Sequence, residues 1–155
     1  MFHFSFFINI VRRINRLLKV GKIFAITLRA VVYENELMQL IQYKPITETV
    51  LDRPLVIVPP YINNDYIPKN SFVKYAVDQG NTVFVISWVN PEKELSDVGW
   101  DNYLTDGVFK ALEIVKAITC AEKVNTSSWC IGGTLLATAL AVLPEKSGNS
   151  VASAT

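Results

Sequence analysis

Lys123-Val124-Asn125-Thr126-Ser127-Ser128-Trp129-Cys130-Ile131-Gly132-Gly133-Thr134-Leu135-Leu136-Ala137 is the stretch whose reading decides this chain. A short run that can form a strand reaches one thiol, two glycines follow, and a helical pattern begins. This is the layout of a nucleophile elbow, in which a strand ends, the chain turns sharply, and the nucleophile stands at the start of a helix. Glycines after the turn let the backbone pass close to its neighbours, and a helix N-terminus favours negative charge on a nearby sulfur. The common form of the motif is G-x-S-x-G. Here Cys130 holds the nucleophile position, Gly132 is the second glycine, and Ser128 replaces the first. Glycine at that first position relieves crowding, so the serine is expected to strain the turn or shift Cys130. The competing reading is a buried core thiol, which is what most free cysteines are.

The surrounding pattern decides between the two. Leu55-Val56-Ile57-Val58 is a continuous apolar run closed by Pro59-Pro60, as expected of a strand buried on both faces. The loop Tyr61-Ile62-Asn63-Asn64-Asp65-Tyr66-Ile67-Pro68 follows, rich in aromatic and amide side chains. Asn70-Ser71 caps a helix to about Gln79, which Gly80 ends. Asn81 to Trp88 is the next buried strand, and 91–99 is a loop of mixed charge. A helix over about 101–118 places Tyr103, Leu104, Val108, Ala111, Leu112 and Val115 on one face. Then come the Val124 strand, the turn at Cys130, and a helix expected to stop at Pro144; Val151 to Thr155 can open one more strand. Upstream, Val31 to Tyr43 reads as hairpin-like strands broken at Asn35, although Glu, Leu, Met and Gln also suit a helix.

Strands alternating with helices predict an α/β fold whose mostly parallel sheet has helices on both faces. In such sheets, sites lie at the carboxyl ends of the strands, where the loops after Val58, Trp88 and Ser128 fall. The turn at Cys130 therefore sits where a partial α/β-hydrolase fold, ending after the elbow helix, needs it.

Composition excludes several alternatives. The chain has 155 residues, is 50% hydrophobic and 19% charged, and carries a net charge of +1, which leaves no basic excess to recruit nucleic acid. Two cysteines, Cys120 and Cys130, make no disulfide framework and no zinc pattern, so no metal is expected and a reducing cytoplasm is the default setting. Cys120 reads as a core residue at a helix end, and Trp88, Trp100 and Trp129 as core or cleft wall. The single histidine, His3, lies in the apolar stretch Met1 to Ile8, far from Cys130 in sequence. Residues 1–11 are too short to span a bilayer, and the arginines follow the apolar run, where a signal peptide has its charge first. Ile10, Ile14, Leu17 and Leu18 fit one helical face, so 1–30 is read as an N-terminal helical segment, packed on its own domain, on a partner or on a membrane surface.

Four blocks together resemble the polyhydroxyalkanoate (PHA) synthases, the polyhydroxybutyrate polymerases of the α/β-hydrolase superfamily. They are Val32 to Tyr43, Arg53 to Asn63, Gly80 to Pro91, and Cys130 to Ala137. The resemblance covers about residues 18–155 and marks 31–155 as the N-terminal half of such a domain. It implies acyl transfer from 3-hydroxyacyl-CoA, as substrate and with no cofactor, to a growing polyester held on a cysteine. Cys130 matches that nucleophile and the Ile131 N–H the oxyanion donor after it. The loop Pro60 to Asn63, with Ile62 as the candidate, would supply a second donor.

In the family an aspartate and a histidine come further downstream, and no aspartate of this chain matches that position. The expectation is a fragment without polymerase activity alone. The alternative is a non-catalytic module that pairs with a separate C-terminal half, with another copy, or with a polymer granule surface.

Overall fold

A computed structural model describes residues 29–61, 72–90, 92–147 and 150–155. His3, Ile62 and the segment 1–28 therefore lie outside the described residues, as do the expected cap Asn70-Ser71 and most of the loop after Tyr61. Among the described residues six strands form one sheet: β1 (Arg29–Glu34), β2 (Met38–Tyr43), β3 (Leu55–Val58), β4 (Val83–Trp88), β5 (Val124–Ser128) and β6 (Val151–Ala154). Their order across the sheet is β1-β2-β4-β3-β5-β6. The hairpin β1–β2 and the β2–β4 pair are antiparallel, whereas β3 runs parallel to both β4 and β5, and β5 runs parallel to β6.

Each hydrophobic run divides its side chains between two cores, because successive residues of a strand face opposite ways. Val56 and Val58 of β3, with Phe84, Ile86 and Trp88 of β4, join one core; Ile57, Val83 and Val85 join the other. The second core is closed by α1 (Phe72–Asp78) through Val73, Ala76 and Val77. The first is closed by two helices. One is α2, built of an α-helical start Trp100–Asn102, a π-helical middle Tyr103–Phe109 and an α-helical end Lys110–Thr119. The other is α3 (Ile131–Ser147), which inserts Leu135, Leu136 and Ala139.

This arrangement creates the crevice. The chain leaves β3 for α1 on one face, and leaves its neighbour β5 for α3 on the other. Adjacent parallel strands whose connections part to opposite faces open a gap at their carboxyl ends, which is where sites form in such sheets.

The hairpin turn explains why Val31 to Tyr43 is not a helix. Asn35 Oδ1 accepts the backbone N–H groups of Leu37 (3.0 Å) and Met38 (2.8 Å), so the side chain replaces the bonds a helix would supply. Its Nδ2 donates to the Asp106 carbonyl at 2.9 Å, tying the hairpin to the π-helical stretch of α2. At the other end, α3 passes Pro144 and continues to Ser147, so the expected stop is corrected. A proline deletes one N–H and crowds one carbonyl, and close to a helix end this cost is not enough to stop the last turn.

Asn35→Ala should lower unfolding free energy by about 1–2 kcal/mol, since it removes hydrogen bonds at both ends of one side chain. A urea midpoint that falls without a change in slope is the expected result.

Candidate functional site at the carboxyl edge of the sheet

Cys130 stands between β5 and α3 with φ of 55°, in the left-handed region, and is exposed. A non-glycine residue held there is uncommon and marks a sharp turn. The thiol is thus outside the core, at a strand-to-helix bend on the rim of the sheet, and the buried-thiol reading does not hold. Its sequence neighbours are also partly open, Trp129 at 41% and Ile131 at 37%. Ile131 begins α3, whose first N–H groups have no acceptor within the helix. Gly133 N–H donates to the Cys130 carbonyl at 2.9 Å and closes the turn.

The tightest contact lies one residue further on. A Cβ on Gly132 would come within 2.4 Å of the Val58 carbonyl oxygen and 2.9 Å of Pro59 backbone atoms. Only glycine lets the first turn of α3 press on the end of β3. Ser128, by contrast, fits without the expected strain. It is the last residue of β5, paired in register with Val58; its N–H donates to Thr155 O at 2.9 Å, and it is not among the positive-φ residues. Its Oγ lies 3.6 Å from where a Gly133 side chain would begin, an ordinary contact.

An aromatic group walls the crevice beside Pro59. Tyr61 meets Trp88, Trp100 and Tyr103 with ring centroids at 5.7, 6.3 and 4.5 Å. Trp88 is buried and donates its indole N–H to the Pro59 carbonyl at 2.8 Å. The Tyr61 hydroxyl is shut off from solvent and finds no hydrogen-bond partner among the described residues. Burial pushes its ionisation above the usual phenol value, and the neighbouring Tyr103 adds to the shift.

Cys120 is not a core residue. It caps α2 in a left-handed conformation (φ 56°) and is exposed. It lines a cavity of about 780 Å³ with Lys44, Arg53 and Lys123, at the edge where the parallel strands begin. Cys130 lies at the opposite edge, where they end. Among the described residues no cluster of three or more His, Cys, Asp or Glu side chains could hold a metal, and no helix is long and apolar enough to cross a membrane.

The fold and the turn define the class: this is an α/β-hydrolase-type sheet carrying a cysteine at the turn between β5 and α3. Solved structures agree in architecture. An alpha/beta hydrolase enzyme from a Mar Chica lagoon sediment metagenome superposes with TM-score 0.53 and 14% identity, over 80% of this chain and 49% of its own. Mouse alpha/beta hydrolase domain-containing protein 10 gives 0.53 and 16%, over 82% and 48%.

Sequence comparison narrows the class. Residues 8–76 match the family model of the poly-beta-hydroxybutyrate polymerase N-terminus. The chain is 44% identical over 141 residues to the poly(3-hydroxyalkanoate) polymerase subunit PhaC of Cupriavidus necator, covering 88% of this chain and 24% of the relative. It is 45% identical over 140 residues to that of Rhizobium meliloti, covering 88% and 23%. The chain belongs to the poly(3-hydroxyalkanoate) polymerase family, and it spans about a quarter of the length of the curated relatives it matches.

Gly132→Ala should destabilise the chain by about 1–3 kcal/mol, because the methyl meets backbone and not a side chain that could swing away; chemical denaturation measures it. In an alkaline titration followed by tyrosinate absorbance, Tyr61 should ionise later than the ordinary value of 10.0, and Tyr61→Phe should remove the late step. The fold keeps this proton where the unfolded chain has lost it. The stability tied to Tyr61 is therefore complete below about pH 10 and lost as pH rises through the higher folded value.

Proposed function

We propose that Cys130 is an acyl-accepting nucleophile for 3-hydroxyacyl-CoA, and that this polypeptide alone does not sustain polymerisation. The observation that carries the first half is an exposed cysteine held at φ 55° between β5 and α3, at the carboxyl edge of the sheet, in a polymerase-family chain. The thiolate sulfur attacks the thioester carbonyl, the carbonyl electrons move to oxygen, and collapse expels the CoA thiolate and leaves the acyl group on Cys130. The Ile131 N–H, at the free start of α3, donates to the oxyanion; Ile62 of the loop after β3 is the second candidate donor.

The second half rests on the proton inventory. Chain growth requires the 3-hydroxyl of another unit to attack the Cys130 thioester, and that hydroxyl must give up its proton. The chain contains one histidine, His3. A helix N-terminus stabilises negative charge but cannot take the proton of the incoming alcohol.

With 3-hydroxybutyryl-CoA, the purified chain should release CoA far more slowly than a full-length family polymerase. Release near the full rate, abolished by Cys130→Ala, would refute the second half of the reading. Absence of any Cys130-dependent acyl adduct by intact mass would refute the first.

A second reading is an interaction module in the cytoplasm or at a polymer granule. It is favoured by β6, which ends the strand order and exposes residues 152–154. An unpaired strand edge is a template for another chain, here a polypeptide carrying the C-terminal region of a polymerase or another copy. Restored CoA release on mixing with such a polypeptide would support that pairing, and elution of both as unchanged separate species would count against it.

A further inference from the structure

We infer that Trp88 is a positioning residue for the nucleophile turn, acting through the Pro59 carbonyl. Its catalytic meaning rests on Cys130 being the nucleophile; its structural content does not. Pro59 lies just beyond the β3–β5 ladder, whose last pair is Val58 with Ser128. Pro59 and Pro60 have no N–H to donate. Until Tyr61, this backbone can be held by hydrogen bonds only through its carbonyls, and the Trp88 indole takes the one on Pro59 at 2.8 Å in a buried setting. That same oxygen is one of the atoms a Gly132 side chain would strike, at 2.9 Å. One carbonyl is therefore gripped by the indole and pressed by the first turn of α3.

The indole is closely seated at its other end as well. A Cβ on Gly107 would lie 2.7 Å from Cζ3 and Cη2 of Trp88, so the far edge of the ring is seated on bare backbone within the π-helical stretch. Tyr61 and Tyr103 pack on it with centroids at 5.7 and 5.3 Å. Gly107, Trp88, Pro59 and Gly132 thus form a continuous line of contacts ending two residues from Cys130. A core tryptophan needs only burial. This one is fixed at both ends of its ring, and its N–H end bears on the backbone that locates the thiol.

The test places a nitroxide label on Cys130 in a Cys120→Ser background. Trp88→Phe keeps a ring but deletes the donor, and should raise label mobility at a temperature where far-UV circular dichroism is unchanged. Trp100→Phe, in the same aromatic group but exposed and without that bond, should leave the spectrum as it was. Cys130-dependent acylation by 3-hydroxybutyryl-CoA should fall about tenfold or more in Trp88→Phe, since small misplacements of a reacting group cost up to about 100-fold. An unchanged spectrum in Trp88→Phe, or equal mobility in both variants, would overturn the proposal.

If Trp88→Phe does not fold, the unsubstituted chain decides. Its Trp88 indole proton should exchange with solvent at least tenfold more slowly than those of Trp100 and Trp129, and equal rates would overturn the proposal. Failed acylation of the unsubstituted chain, with the label and exchange results as expected, would remove the nucleophile reading and leave the Trp88 contact standing.

Discussion

The approach of Gly132 to the end of β3 is the constraint on which the site depends. With 2.4 Å between a would-be Cβ and the Val58 carbonyl oxygen, α3 can leave β5 only at the angle this contact allows. The turn that achieves this puts Cys130 into the left-handed region, a conformation that costs a residue bearing a Cβ about 1 kcal/mol or more. Surrounding structure must over-determine such a turn for it to persist. It does so on three sides: the β5 ladder before it, the Gly133-to-Cys130 hydrogen bond after it, and the Val58–Pro59 backbone beside it.

How much of this was legible in the sequence depends on the range of the force involved. The runs Leu55 to Val58 and Val83 to Trp88 declare buried strands because burial on both faces removes polar alternation. Asn35 declares a break because its side chain bonds within three residues of itself. The cysteine turn is legible because its glycines lie next to it in sequence. Other features depend on distant partners. Trp88 finds the Pro59 carbonyl 29 residues away, and Gly107 is needed only because that ring comes down upon it. The π-helical stretch leaves no periodic mark, since Leu104, Val108, Ala111 and Leu112 also fit an ordinary helix. Cys120 looked apolar and terminal, but a left-handed cap projects from the helix it ends, so the thiol faces outward.

Ser128 shows where a motif can mislead. The usual glycine before the nucleophile reflects crowding, and crowding depends on both partners. Here Ser128 keeps a strand conformation, and even a Cβ on the nearby Gly133 would stand at an ordinary 3.6 Å from its Oγ. Reading the motif alone predicts strain; the strand conformation of Ser128 removes it.

Under the proposed reading, placing the nucleophile and supplying its proton acceptor are separable tasks. The turn is assembled from β3, β4, β5, α3 and the middle of α2, with Trp88 closing the set through its bond to the Pro59 carbonyl and its packing on Tyr61 and Tyr103. Apolar packing and a buried neutral hydrogen bond are not screened by salt, so these contacts hold the turn at any ionic strength. An imidazole brought to this edge from elsewhere would meet a thiol already in position. Under the proposed reading, the cost of combining the two halves is then the entropy of bringing the chains together, with no further rearrangement of the nucleophile turn.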